Sequence, residues 1–315
     1  MTESPRLVGS LRPDSGLYPV GIDNPFNALD FRQSSLIQIP QAGRLASTFA
    51  KEMKTISIIN MKGGVGKSTI AVNTAFSLAL RGKTLLVDVD PQFNATQYAL
   101  GSTRTKKYFE EEQASIVDVF EKPFISEEDN PIQPVAHNFD ILPSSLELNK
   151  VLKNPAQKEQ RLSKFLKTYG TDYEYVVIDC PPTDSMITTA AYLSSDFLVI
   201  PVRPEFLSVI GLPLLLRSYS DFIGEFPDSN LKIAGIVVNF PNDKIKDSRS
   251  GRVDIQRFSV DNDVPLFNTA IRYSSLYPDG ARKGLPIFRT PHARHEMKMN
   301  FAAFVDELIQ IVNHE

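Results

Sequence analysis

Residues 60–73 read NMKGGVGKSTIAVN, with Lys67 directly after Gly63, Gly64, Val65 and Gly66 and directly before Ser68 and Thr69. Glycines tolerate backbone angles that side chains forbid, so successive N–H groups can turn inward on an anion. A helix opening at the same place adds the positive end of its dipole. This is chemistry for phosphate. The main chain of Gly63, Gly64, Val65 and Gly66 cradles the ligand, and Lys67 reaches the β- and γ-phosphates. Ser68 offers its hydroxyl to Mg²⁺, and Thr69 meets the α-phosphate. Two features depart from the common GxxxxGK[ST] pattern. Met61 stands where the first glycine belongs, and a second lysine, Lys62, precedes the glycines.

Carboxylates end two other apolar runs. TLLVDVD, residues 84–90, carries Asp88 and Asp90, and YVVIDCPP, residues 175–182, carries Asp179. Asp88 and Asp90 stand two apart at a strand end, so both project to one face, the nucleotide side.

The elements that position these residues are legible as short apolar runs alternating with helical patterns. Strands are predicted over 55–60, 84–90, 139–145, 175–182, 196–204 and 231–240. A helix follows the phosphate loop, with Ile70, Ala71, Thr74, Ala75 and Leu78 on one face and Gly82 at its end. Runs apolar on both faces that alternate with helices predict an α/β fold, a mostly parallel twisted sheet with helices on both faces. Ligands then bind at the carboxyl ends of the strands, where Asn60, Asp88, Asp90, Asp179 and Asn239 fall. Residues 295–315 read as an amphipathic closing helix. Residues 1–50, with five scattered prolines and no lasting period, predict an extension with little regular structure, and 51–315 the body. Within the extension, Phe26, Leu29 and Phe31 have near-helical spacing that suits plain packing.

Bulk composition narrows the classes. The chain has 315 residues, a formal net charge of −3 and one cysteine, so intrachain disulfides and a multi-cysteine iron–sulfur cluster are excluded. Cys180 reads as buried filler. The four histidines, 137, 292, 295 and 314, are too scattered for a zinc site. The N-terminus lacks a secretory apolar region and no run is long enough to span a bilayer, so a soluble, cytoplasmic protein is expected.

The loop as it stands, KGGxGKS with Lys62, resembles the deviant Walker A ATPases, and within them the ParA-type partition ATPases. LLVDVDPQFNAT is similar to that family's LLVDxDPQxNAT, and VVIDCPP resembles its Walker B strand. The resemblance spans about residues 54–310 and is most specific over 60–97. It implies ATP and Mg²⁺ as cofactors and slow, partner-stimulated ATP hydrolysis. Lys62 would reach across a nucleotide-sandwich homodimer to the partner's ATP, as an arginine finger does. Asp90 would orient or activate the attacking water, with Asp88 supporting the magnesium and water shell. Asp179 would hold Mg²⁺ with Ser68, a small ligand set that suits this ion. The resemblance also implies that Asn239 contacts adenine and that the main chain around Tyr273 lines the base.

TAIRYSSLYPDGARKGLPI, residues 269–287, is similar to the family's late segment TxIPxxxxLSEAxxxGxPI. Gly284, Pro286 and Ile287 agree, Arg272 replaces the proline, and Leu276 stands where many relatives carry a DNA-binding arginine. Residues 241–300 nevertheless hold eleven Lys or Arg against seven Asp or Glu. Arg249, Arg252, Arg257, Arg272, Arg282, Lys283, Arg289, Arg294 and Lys298 are candidates for a patch on the phosphate backbone of nonspecific DNA. A ParB-like or other adaptor protein is the expected stimulator. Two other classes share the loop. A MinD-like membrane-surface ATPase needs a basic amphipathic tail, whereas FVDELIQIVNHE has three acidic residues and no Lys or Arg. A metabolic enzyme of the dethiobiotin synthetase type needs a small-molecule pocket that no motif identifies. The extension is expected to be too short for a complete helix-turn-helix domain.

Overall fold

The computed structural model describes residues 52–242 and 244–314. The extension read over 1–50, including Phe26, Leu29 and Phe31, lies outside the described residues. Strand and helix alternate from β1 (Lys54–Ile58) through α1 (Lys67–Leu78), β2 (Thr84–Asp88), α2 (Asn94–Glu110) and α3 (Ile116–Glu121). Next come β3 (Gln133–Ala136), β4 (Phe139–Leu142), α4 (Leu148–Lys153), α5 (Arg161–Tyr169), β5 (Tyr175–Asp179) and α6 (Met186–Leu193). The chain continues with β6 (Phe197–Val202), α7 (Phe206–Val209), α8 (Gly211–Glu225), β7 (Lys232–Val238), α9 (Lys246–Asp261), α10 (Tyr277–Lys283) and α11 (His295–His314).

The seven strands form one sheet in the order β3-β4-β2-β5-β1-β6-β7. Every pairing is parallel except β3 with β4. Every residue of β2, β5 and β6 is buried, which is why they read as unbroken apolar runs. Alternate side chains feed two cores. Leu86 and Val177 pack with α1 and with Phe301, Phe304 and Leu308 of α11 on one face. Leu85, Val87, Val176 and Ile178 pack with α3, α5 and α6 on the other.

β1 lies between β5 and β6, and β2 lies beyond β5. The chain therefore leaves β1 for one half of the sheet and later returns to build the other, which opens a crevice at the strand ends. The register sets Asp88 opposite Asp179 and Asp179 opposite Ile58. Three strand ends, and the loop that follows β1, thus meet at one place.

Three details differ from the expectation. β2 ends at Asp88, so Asp90 lies in the turn beyond and not on the same strand face. The cause is local: the Asp90 N–H donates to the Asp88 carboxylate at 3.0 Å instead of continuing the ladder. α1 ends at Leu78, ahead of Gly82, whose N–H still reaches the Leu78 carbonyl at 3.0 Å. The edge strand β3 was not anticipated, because it contains Pro134 and only Val135 is buried.

Candidate functional site

The loop between β1 and α1 is moored from two sides. Asn60, fully buried, donates from Nδ2 to the Pro201 carbonyl of β6 at 2.9 Å and accepts the Lys62 N–H at 2.8 Å. Asn239, just past β7 and also fully buried, donates to the Val65 carbonyl at 2.6 Å. Gly66 caps α1 at φ 96°, and a Cβ placed there would stand 2.3 Å from Asn239 Nδ2. Only glycine meets both demands. The first N–H groups of α1 have no partner within the helix, and its first turn carries no acidic residue.

Charge is concentrated beneath this loop. Lys67 is buried and donates from Nζ to the Lys62 carbonyl at 3.0 Å. Burial lowers its proton affinity, and the neighbouring Asp179 and Asp90 carboxylates oppose that shift. Asp88 is fully buried and well satisfied. It accepts the Asp90 N–H at 3.0 Å and both the N–H and the hydroxyl of Thr96 at 2.8 Å. Burial still pushes its carboxyl up to about 7 against those hydrogen bonds. Asp179 is different: it is fully buried, and neither carboxylate oxygen has a hydrogen-bond partner among the described residues. Burial first, then the Asp88 charge, raise it well above the ordinary carboxylate range, while the nearby Ser68 hydroxyl opposes them.

Unpaired buried carboxylate oxygens are costly, and a cation is the natural partner. The donor set fits magnesium. Among the described residues no three His, Cys, Asp or Glu side chains form a metal cage. One carboxylate with one hydroxyl leaves room for the waters and phosphates that Mg²⁺ retains. Ser68 and Asp179 are the residues that would hold it.

Above the loop lies a cavity of about 760 Å³. Its walls are Gly63, Gly64, Gly66, Lys67, Ser68 and Thr69 from the loop, Asp90 and Gln92 from the turn after β2, and Pro182 after β5. Tyr98 and Thr105 of α2 and Arg282 of α10 also line it. Asp90 accepts the Gln92 N–H at 2.9 Å on one oxygen, and its carbonyl accepts the Ser144 hydroxyl at 2.9 Å. Val65 is buried and does not line the cavity.

Lys62, Asn239 and Tyr273 do not line this cavity. Asn239 lies under the loop as its strut, with Oδ1 buried and unpartnered. Tyr273 is 64% exposed and sets its ring edge on Phe240 at 5.5 Å. A bridge between Asn239 and Ile271 holds that segment beside the end of β7.

The basic candidates are spread over several elements. Arg249, Arg252 and Arg257 are exposed on α9, and Arg294 is exposed just before α11, which carries Lys298. Arg272 pairs with Glu296, and Lys283 with Asp279 at 3.0 Å. Arg289 is half-buried, which lowers its proton affinity. Arg282 belongs to the cavity wall.

Sequence reasoning missed the supports. Asn73 of α1 is fully buried and donates to the Thr69 carbonyl at 2.8 Å and the Tyr98 hydroxyl at 2.9 Å. Its Oδ1 accepts the Ile287 N–H at 2.7 Å. The signal was an amide among the apolar positions of α1. Thr96 and Ser144 gave none, since a hydroxyl in the first turn of a helix or just past a strand is ordinary.

Comparison with known proteins agrees with this geometry. A family model described as an AAA domain matches residues 53–233. The chromosome partitioning protein ParA of Caulobacter vibrioides is 32% identical over 197 residues, covering 60% of this chain and 70% of that protein. Among solved structures, apo McdA of Cyanothece superposes with a TM-score of 0.70 at 23% identity, covering 82% of this chain and 100% of that one. A cobyrinic acid a,c-diamide synthase of Mycobacterium smegmatis with ADP and magnesium gives 0.66 at 22% identity, covering 82% and 95%. Structural likeness at this identity speaks for the fold, and the sequence matches speak for the family. The chain belongs to the ParA-type partition ATPases of the P-loop class.

Proposed function

We propose that the chain is an ATP- and Mg²⁺-dependent switch in the partition of DNA or another cargo. Two copies close over bound nucleotide, the closed dimer holds nonspecific DNA, and hydrolysis stimulated by a ParB-like or other adaptor protein releases it. The observation that carries the nucleotide half is Asp179. Its two fully buried carboxylate oxygens, unpartnered among the described residues and close to Lys67 and Ser68, suit a magnesium–triphosphate.

The residues then divide the work. Lys67 gives up the Lys62 carbonyl for the β- and γ-phosphates, a stronger charge-assisted partner. Mg²⁺ held by Ser68 and Asp179 would supply neutralisation of the charge developing on the phosphates. Asp90 lends the cavity wall its carboxylate; the oxygen not held by Gln92 N–H accepts a hydrogen bond from the attacking water. Asp88 holds the Asp90 turn in place through the Asp90 N–H. Asn239 and the main chain around Tyr273 would meet the base, although neither residue lines the cavity above the loop. The Lys62 ammonium makes no hydrogen bond or ion pair among the described residues and serves the partner's nucleotide.

Among the described residues no helix is long and apolar enough to cross a membrane. α11 carries Asp306 and Glu307 in its second half and no Lys or Arg there, which weighs against a lipid-surface role. The test is titration with nonspecific duplex DNA and with anionic liposomes, each with ATP, ADP or no nucleotide. Salt-sensitive, ATP-dependent DNA binding is expected. ATP-dependent liposome binding without DNA binding would overturn the proposal.

A further inference from the structure

Among the described residues, three charged side chains line the cavity above the phosphate loop: Lys67, Asp90 and Arg282. The first two belong to the site already described. Arg282 does not, since charge balance alone counts it with the candidate DNA contacts. Its neighbour Lys283 pairs with Asp279 at 3.0 Å, whereas Arg282 makes no hydrogen bond or ion pair among the described residues.

Its position is fixed by hard contacts. α2 breaks at Gly101 (φ 69°, ψ 170°), and α10 ends at Gly284 (φ 67°). The two glycines meet there: a Cβ on Gly101 would lie 2.7 Å from the Gly284 nitrogen, and one on Gly284 would lie 3.2 Å from the Ala99 carbonyl oxygen. Beyond α10, the Ile287 N–H is tied to Asn73, which also holds the Thr69 carbonyl and the Tyr98 hydroxyl. The phosphate-loop helix, α2 and α10 are thus pinned at one buried amide. The backbone beneath Arg282 cannot drift far from the loop without breaking those contacts.

We propose that Arg282 is a same-subunit nucleotide contact. Its guanidinium takes an anionic oxygen of the bound nucleotide from the α10 wall while Lys67 acts from below. This deepens the ATP-switch reading and rests on it. A planar fork of donors with no partner among the described residues, opening on a cavity lined by the phosphate loop, is suited to that role. Arg282 then raises nucleotide affinity and is not one of the DNA-backbone contacts.

The test is calorimetric titration of the full chain with Mg·ATP and Mg·ADP, comparing wild type, Arg282→Ala, Arg282→Lys and the control Lys106→Ala on exposed α2. Arg282→Ala is expected to weaken Mg·ATP binding about 10–100-fold. Arg282→Lys should recover only part of that loss, because an ammonium lacks the fork. Lys106→Ala should bind as wild type does. At saturating ATP, Arg282→Ala should hold nonspecific duplex DNA as tightly as wild type. Wild-type nucleotide affinity in Arg282→Ala would overturn the inference while leaving the switch intact. So would normal nucleotide affinity with weakened DNA binding, which would return Arg282 to the DNA patch. Failure of the wild-type chain to bind nucleotide would overturn the switch itself.

Discussion

The carboxyl ends of β1, β2 and β5 and the late segment from 241 to 300 both collect charge, but they hold it differently. Lys67, Asp88, Asp90 and Asp179 are buried at the strand ends, and Asp179 has no partner for either oxygen among the described residues. Along α9, by contrast, Arg249, Arg252 and Arg257 stand exposed. Buried charge is expensive, so a cluster of it demands a ligand and names the ligand's chemistry. Exposed charge costs little and fits many roles. The first region therefore points to a ligand by its geometry, whereas the second is read only by titration.

Lys67→Ala should break the contrast most severely. Hydrolysis should fall about 10²–10³-fold, the cost of removing one preorganised donor to a developing charge. ATPase assays at saturating Mg·ATP check this.

The strand-end cluster should also respond to pH. Burial raises the Asp88 carboxyl from 3.8 to about 7. The folded protein therefore keeps a proton that the unfolded chain has released. That contribution to stability is fully present below the unfolded value of 3.8 and is lost as pH rises through about 7. A ¹³C titration of the Asp88 carboxyl in nucleotide-free protein should give a midpoint near 7, far above that of a surface aspartate.

The smallest effect belongs to a single exposed arginine. Arg257→Ala should lower DNA affinity by less than about 10-fold and reduce the slope of log K against log salt by roughly one unit. Binding titrations at several salt concentrations would read both. An unchanged slope would remove Arg257 from the patch.

Much of the first region was legible in the sequence because burial constrains composition. β2, β5 and β6 are buried at every position, so their runs stand out. The phosphate loop stands out because glycine spacing and a lysine at a helix start have few other uses. What was not legible depends on contacts between distant segments. Asp90 was read onto the strand because the sequence does not reveal that its N–H turns back on Asp88. Asn239 marks a strand end, yet that it braces Val65 from below is a tertiary fact. The same is true of Arg282, which reaches the cavity only because Gly101 and Gly284 let α2 and α10 touch. β3 escaped notice because an edge strand with one buried residue leaves no periodic trace.

The central claim is that nucleotide closes two copies of the chain through Lys62. Lys62 adjoins the loop yet does not line the cavity, and its main chain, not its ammonium, is held by Asn60 and Lys67. Sedimentation velocity on wild type and Lys62→Ala, with Mg·ATP, Mg·ADP and no nucleotide, tests this directly. The account predicts a wild-type dimer with Mg·ATP alone, and a Lys62→Ala chain that binds Mg·ATP yet remains monomeric. A full-strength ATP-dependent dimer in Lys62→Ala would contradict it.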